Sequence, residues 1–314
     1  MTVSASTTRQ SELRPTLLRA AVAAVCAVAA APAVEAQWRE SYPVIRIGIV
    51  AGPDAALTRS RVEPFRAYLD ESLDVSVEVL TAPDYGSLIA EQFTGRLHAT
   101  FLSASAFAGA SAACGGCVEP LVAQTTPSGE AGYRAALIVS SENALSDPAN
   151  LAGTRLAVSA EDSLAGRMLP LALFVEAGVD FADVEIVERG SQAAAVLAVV
   201  SGGAEAGLGW IGLSDDAADR GVLADLAAAG RLLLGEVRVA WTSPMIPHGP
   251  LTVLDNLPDD LKSELAAAML ALAEADPDAL VAIDANLGGG FADVDAGDYE
   301  PLMLLTDPDL ELPR

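Results

Sequence analysis

Apolar runs alternate with helical periodicities along most of this chain. VIRIGIV at 44–50 reads as a buried strand, and Arg59 to Leu73 follows with Val62, Phe65, Tyr68 and Leu69 at helical spacing. SVEVLTA supplies a second strand, Asp84 to Gly95 a second helix, HATFLS a third strand, and Ala104 to Ala113 a helix of small residues behind Ser103. Strands alternating with helices predict an α/β chain with parallel sheets covered on both faces. Ligands of such sheets gather beyond the carboxyl ends of the strands, which here means the loops 51–55, 82–85 and 102–107.

The pattern restarts after the strand YRAALIVSS at 133–141. Asn150 to Gly207 reads as strand, serine-bearing loop, helix, strand, glycine turn, helix and acidic turn, an order that presents helix N-termini to a captured solute. This unit runs to about Gly230, and RLLLGEVRVAWTS leads back to PDDLKSELAAAMLALAEAD, an amphipathic helix with a Pro-Asp start. The expected organisation is two α/β lobes, residues 37–137 plus 238–314 and residues 138–237. Two hinge strands, near 136–140 and 234–240, are expected to join them.

The N-terminus changes where this chain is expected to work. Arg9, Arg14 and Arg19 precede an apolar run from Ala20 to about Ala33, and Val34-Glu35-Ala36 offers small residues to a signal peptidase. Residues 1–36 therefore read as a secretory signal, with a mature chain starting at Gln37 and Cys26 lost with the leader. Val25 in front of that cysteine argues against lipidation. The apolar run is shorter than the roughly 20 residues of a membrane span. What remains is long enough for one large or two medium domains.

Charge excludes some partners. With 18 basic and 43 acidic residues the net charge is −25, a field that repels nucleic acid and anionic membrane. It is also what solubility or high salt would select, or a preference for cationic ligands. Lys262 is the only lysine, which leaves little material for Schiff-base or P-loop chemistry. Cys114 and Cys117 form a Cys-Gly-Gly-Cys unit, and in an oxidising compartment a local disulfide is the expected state. Metal binding would need two further ligands, and only His98 and His248 are on offer, with no clustered partners. A redox role lacks the surrounding pattern. Asp293, Asp295 and Asp298 miss the glycine and glutamate positions of an EF-hand, so neither metal nor cofactor is expected.

Nine segments in order carry a resemblance: RIGIV, APDYGSLIAE, FLSASAFAGA, SGEAGYRAALIVS, NLAGTRLAVS, GRMLP, ERGSQAAAVLAVVSGGAEAG, WTSPMIPHGPL and GDYEPL. The mature chain resembles the phosphate/phosphite/phosphonate-binding periplasmic components of ABC transporters, which have the type II periplasmic-binding-protein fold. The resemblance implies a periplasmic, monomeric, non-enzymatic protein that closes two lobes over a small solute and docks on a permease. In that family two tyrosines, a Ser-Thr-Ser run at a helix N-terminus, a histidine after a glycine turn and an acidic residue after the next helix hold the oxyanion. Tyr85 and Tyr133 match the tyrosines, Ser163 the first serine, and Glu205 the acidic residue. Leu164, Ala165 and Gln192 depart from the remaining hydroxyls and the histidine. Ser103, Ser105, Phe107, Asp162 and Trp210 complete the candidate ligand set. Loss of charged and hydroxyl donors favours a less charged, zwitterionic or partly apolar solute.

Each candidate also has a structural reading. Tyr85 and Tyr133 could pack with wet hydroxyls, and Asp162, Ser163 and Ser191 could only cap helices. Glu205 could be a solvated turn residue and Trp210 core or hinge packing, while His248 between prolines reads as structural. Both histidines are expected outside the centre of the cleft, although His98 precedes the pocket loop closely enough to merit one mutant. A sensory protein docking on a membrane receptor is the alternative function. An enzyme would need a converging nucleophile, base and orienting group, and the sequence offers no such set.

Overall fold

Seven residues of β1 (Val44–Val50) bury Ile45, Ile47 and Ile49 on one face. Such β-branched runs favour strands, and β1 pairs in parallel with β2 (Ser76–Ala82) on one side and β3 (Ala99–Phe101) on the other. The computed structural model describes residues 37–51, 54–214, 216, 219–283 and 287–314, so the predicted signal lies outside the described residues. Three further strands, β4 (Val118–Thr125), β11 (Pro250–Leu254) and β12 (Gly290–Asp293), complete the first sheet in the order β12-β4-β11-β3-β1-β2. β11 and β12 run antiparallel to their neighbours. Periodicity did not announce these three, because Pro120 interrupts β4 and prolines flank β11.

The second sheet has β5 (Gly132–Ser140) next to β8 (Ala206–Ile211), then β6 (Arg155–Val158) and β7 (Glu185–Glu188). On its other edge β5 pairs with β9 (Val237–Thr242) and β10 (Ile246–Pro247). The segments expected to be hinge strands are therefore locked into one sheet, since residues 136–140 pair antiparallel with β9. The chain changes sheets at 126–131 and again at 248–249. Backbone pairing explains the correction: β5 and β9 satisfy each other's ladder groups, so neither is left to bend as a single connecting strand.

The helix predicted over 59–73 is broken in two, Ala55–Arg61 and Glu63–Leu73, with Pro64 in the first turn of the second. Asp54 caps the first through Ala56 and Leu57 N–H groups. Helix Ala104–Cys114 ends in Gly115 at positive φ, and Cys114 and Cys117 are joined in a disulfide. Among the described residues no helix is long and apolar enough to cross a membrane.

Burial divides into layers under each sheet and one cluster that joins them. Ala104 and Phe107 from the first sheet's side pack with Ala135, Ala165, Leu169 and Ile246 from the second, and Tyr299 and Leu302 close the cluster from the C-terminal segment. In both sheets the carboxyl ends of the parallel strands point toward the two crossing segments. β3 ends next to Gly249, and a Cβ on that glycine would stand 2.2 Å from Leu102 O.

Candidate functional site

Parallel β6 and β7 end at Ser159 and at the Gly190-Ser191 turn, and each is followed by a helix N-terminus. The first helix begins as a five-residue π turn, Leu164–Met168, and continues as Leu169–Glu176. Ser163 caps it, its Oγ accepting the Gly166 N–H at 3.2 Å, and Met168 N–H reaches Ser163 O at 2.9 Å. Ser191 caps the second helix, Gln192–Val200, by accepting the Ala194 N–H at 3.2 Å. Two positive helix ends thus face one cavity of about 620 Å³, whose lining includes Ser159, Asp162, Ser163, Gln192, Trp210 and Arg231.

The polar groups in this cavity are not all satisfied. Ser159, 2% exposed, has a hydroxyl with no hydrogen-bond partner among the described residues, and Gln192 Oε1 is buried in the same condition. Buried polar groups without partners are rare in folded proteins, so each calls for a ligand or water. Gln192 Nε2 donates to Ser163 Oγ at 3.4 Å. Gly166 is the hub of this arrangement: a Cβ there would meet Ser159 Oγ at 2.2 Å and Ser163 Oγ and Gln192 Cγ at 2.7 Å. Ser159 and Gly166 were not read from the sequence. Ser159 stands at the end of the strand LAVS, where the carboxyl-end rule could have found it, whereas Gly166 carried no local signal.

A second cavity of about 330 Å³ shares Gln192 and Trp210 with the first and adds Tyr133, Leu164, Ala165, Arg220 and His248. Tyr133 meets Trp210 edge-to-face at 5.8 Å and stacks on His248 at 5.9 Å. Burial raises the Tyr133 hydroxyl above its ordinary pKa, so it remains a neutral donor. His248, read as structural, is in fact part of this wall. Its Nδ1–H donates to Gln124 O at 2.8 Å and its own carbonyl accepts the Tyr299 hydroxyl, which fixes the ring against Tyr133.

The guanidinium of Arg220 lies 5.5 Å from the Trp210 ring centre and 2.9 Å from Glu130 on the first crossing segment. Glu130 also accepts the Leu213 N–H at 2.7 Å. Burial pushes its carboxyl upward, but the hydrogen bonds from Arg220, Leu213 and Ser128 outweigh that and hold it below the ordinary range.

Tyr85 lies at a third cavity of about 180 Å³ in the first sheet, with Val50, Leu102, Gln124 and Gly249, and is 40% exposed. Gln124 links this half to His248. Ser103 caps helix Ala104–Cys114 through the Ala106 N–H at 3.2 Å and sits 3.4 Å from Ser105 Oγ, at the same strand end but outside all three cavities.

Three further residues stand outside the site. Phe107 is 1% exposed with its ring 4.7 Å from Tyr299, so it is core rather than ligand wall. Glu205 stands before β8, next to the start of the parallel strand β6, and so lies at the opposite end of the sheet from Ser159. There it accepts the Arg155 N–H at 2.8 Å and forms an ion pair with the Arg155 side chain at 2.7 Å. His98 lies ahead of β3, at the far end of the first sheet, where its Nδ1 accepts the Arg46 N–H at 3.0 Å. Burial, and then the nearby Arg46 charge, lower its pKa and keep it neutral. Among the described residues no group of three or more His, Cys, Asp or Glu could hold a metal ion.

Glu205 gives a pH signature separate from binding. Hydrogen bonds from the Arg155 side chain and N–H bring its carboxyl from the ordinary 4.5 down to about 2. A depressed carboxylate stabilises the fold above its unfolded pKa and loses that effect as pH falls through the folded value. Glu205→Gln should therefore melt lower than the wild type at neutral pH, with the gap closing between pH 4.5 and about 2, as thermal unfolding at each pH would record. Solute affinity should stay within about twofold.

The two sheets, their carboxyl-end cavities and the double crossing define the type II periplasmic-binding-protein fold. The model of the family of periplasmic substrate-binding proteins of phosphonate ABC transporters matches residues 47–299, and this chain belongs to that family. Members are substrate-binding components of transporters rather than enzymes; they work in the periplasm, bind small solutes and dock on membrane permeases. A Xanthomonas citri protein solved with ATP bound is similar in structure, with TM-score 0.54, 16% identity and coverage of 84% of this chain and 96% of that one. PhnD1 of Prochlorococcus marinus in complex with methylphosphonate aligns at TM-score 0.48 and 17% identity, over 82% and 95% of the two chains. A binding protein of a Pseudomonas aeruginosa phosphonate transporter aligns at 0.44 and 20%, over 83% and 84%.

Proposed function

We propose that this chain captures a small solute with a phosphonate-like oxyanion head at the ends of β6 and β7 and delivers it to an ABC permease. The unpartnered hydroxyl of Ser159, buried beside Ser163 and two helix N-termini, is the observation that carries this reading. Ser159, Ser163 and the amides of the first helical turns bind the head. Leu164, Ala165, Tyr133 and Trp210 accept an organic substituent in the adjoining cavity. The oxyanion donors are neutral, which suits a singly charged head inside a protein of net charge −25.

Closure brings the Tyr85 cavity of the first sheet over the solute, with residues 126–131 and 248–249 taking up the backbone change. The solute shifts this equilibrium only by the extra contacts it makes in the closed state. The protein acts as a monomer, and residues 1–36 are the leader that carries it to the periplasm.

A thermal-shift panel of phosphate, phosphite, methylphosphonate, sulfonates, quaternary amines and amino acids tests the assignment. A true ligand at 100 times its dissociation constant adds about 2.7 kcal/mol, which raises the melting temperature by roughly 5 °C or more. Stabilisation by phosphorus oxyanions is the expected result, and stabilisation by amines or amino acids alone would sink the reading. Tyr133→Ala should weaken binding by about tenfold with little loss of fold, since it removes one half-buried aromatic wall.

A further inference from the structure

The cavity holds a buried acceptor as well as donors. Ser163 Oγ already accepts twice, from the Gly166 N–H and from Gln192 Nε2, so its own proton is free for the cavity. Ser159 Oγ–H is likewise unspent. Gln192 Oε1, in contrast, is a carbonyl oxygen that can only accept, and it is buried with no donor among the described residues. A fully deprotonated oxyanion would bring a further lone pair against it. A head that keeps one proton would bring the missing donor.

We propose that Gln192 makes the site selective for an oxyanion carrying a hydroxyl, the singly protonated phosphonate, over a head of the same shape and charge without one. The inference rests on the solute site proposed above. With Nε2 turned to Ser163 Oγ at 3.4 Å, Oε1 is the end of the amide left buried without a partner. The charged groups around it act in the same sense. Asp162 and Asp225 line the cavity together with one cation, Arg231, and the excess of carboxylates opposes a second negative charge; Arg220 belongs to the adjoining cavity. Arg220 is already paired with Glu130, and Tyr133 and His248 complete the shared wall without adding a carboxylate.

Methylphosphonate and methanesulfonate separate the effects, because near pH 6 both are compact monoanions and only the first has a proton on oxygen. Calorimetry on the wild type should find methylphosphonate bound at least about tenfold more tightly, the penalty of leaving a polar group in the site unpaired. That preference should shrink as pH rises through the second ionisation of the phosphonate. In Gln192→Met, which keeps length and loses the acceptor, the ratio should fall to about one, with methanesulfonate affinity no weaker than in the wild type. Equal binding of the two monoanions by the wild type, or phosphonate affinity that climbs as the dianion forms, overturns the role of Gln192 while leaving the site standing. Binding of neither overturns the site and this inference together.

Discussion

Gly166→Ala is expected to abolish capture of the solute while leaving the protein folded. The added methyl would stand 2.2 Å from Ser159 Oγ and 2.7 Å from both Ser163 Oγ and Gln192 Cγ. All three belong to short or anchored side chains that cannot simply swing aside. Gly166 is also held on both sides, its N–H on Ser163 Oγ and its carbonyl accepting the Ser159 N–H at 3.0 Å. Relief must therefore come from moving the hydroxyls, and the hydrogen bonds they make to the solute go with them. Two such bonds to a charged group are worth about 3 kcal/mol together, or roughly a hundredfold in affinity. Overpacking costs the fold about 1–3 kcal/mol.

Gly109→Ala is the matching control. It sits within helix Ala104–Cys114, and a Cβ there meets nothing within 4 Å, so this change should stabilise by about 0.5–1 kcal/mol and leave binding alone. Titration of methylphosphonate into the three proteins reads the difference. Retention of affinity within about threefold in Gly166→Ala would remove the cluster from the binding site.

Phe107→Ala should do the opposite, damaging stability and sparing recognition. Its ring is 1% exposed and packs at 4.7 Å against Tyr299, which is itself fully buried. The cluster around them contains residues of both sheets and the C-terminal segment, so no single element can collapse into the space left behind. Truncations of this kind cost about 3–5 kcal/mol. For a chain of this size that lowers the melting temperature by roughly 6–15 °C. Affinity measured well below the transition should change by less than about threefold. A variant that melts like the wild type but no longer binds would return Phe107 to the ligand wall.

Tyr133, Trp210 and His248 show how the aromatic wall depends on pairing rather than on any one residue. β5 runs antiparallel to β8 with Ala135 opposite Trp210, which brings Tyr133 beside that indole, and β10 pairs with Tyr133 just before the chain reaches His248. Three segments far apart in sequence meet because β10, β5 and β8 are neighbours in one sheet. His248 looked structural between its prolines because the sequence does not say that β10 pairs with β5, which brings the His248 ring onto Tyr133.

Local chemistry alone determined much of this protein. Alternating apolar runs and helical spacing specify most strands and helices, Ser103, Ser163 and Ser191 cap the helices that follow them, and two cysteines three apart close their own loop. These are effects of near neighbours, legible wherever the chain goes. Tertiary structure decided which of the marked residues face one another. Strand order put Glu205 with Arg155 at the wrong end of β8, turned Phe107 into the core, and brought Ser159 and Gln192 together around Gly166. The reason is geometric: a strand shows its two faces and two ends in its sequence, but which end opens on a cavity depends on the direction and order of partners many residues away.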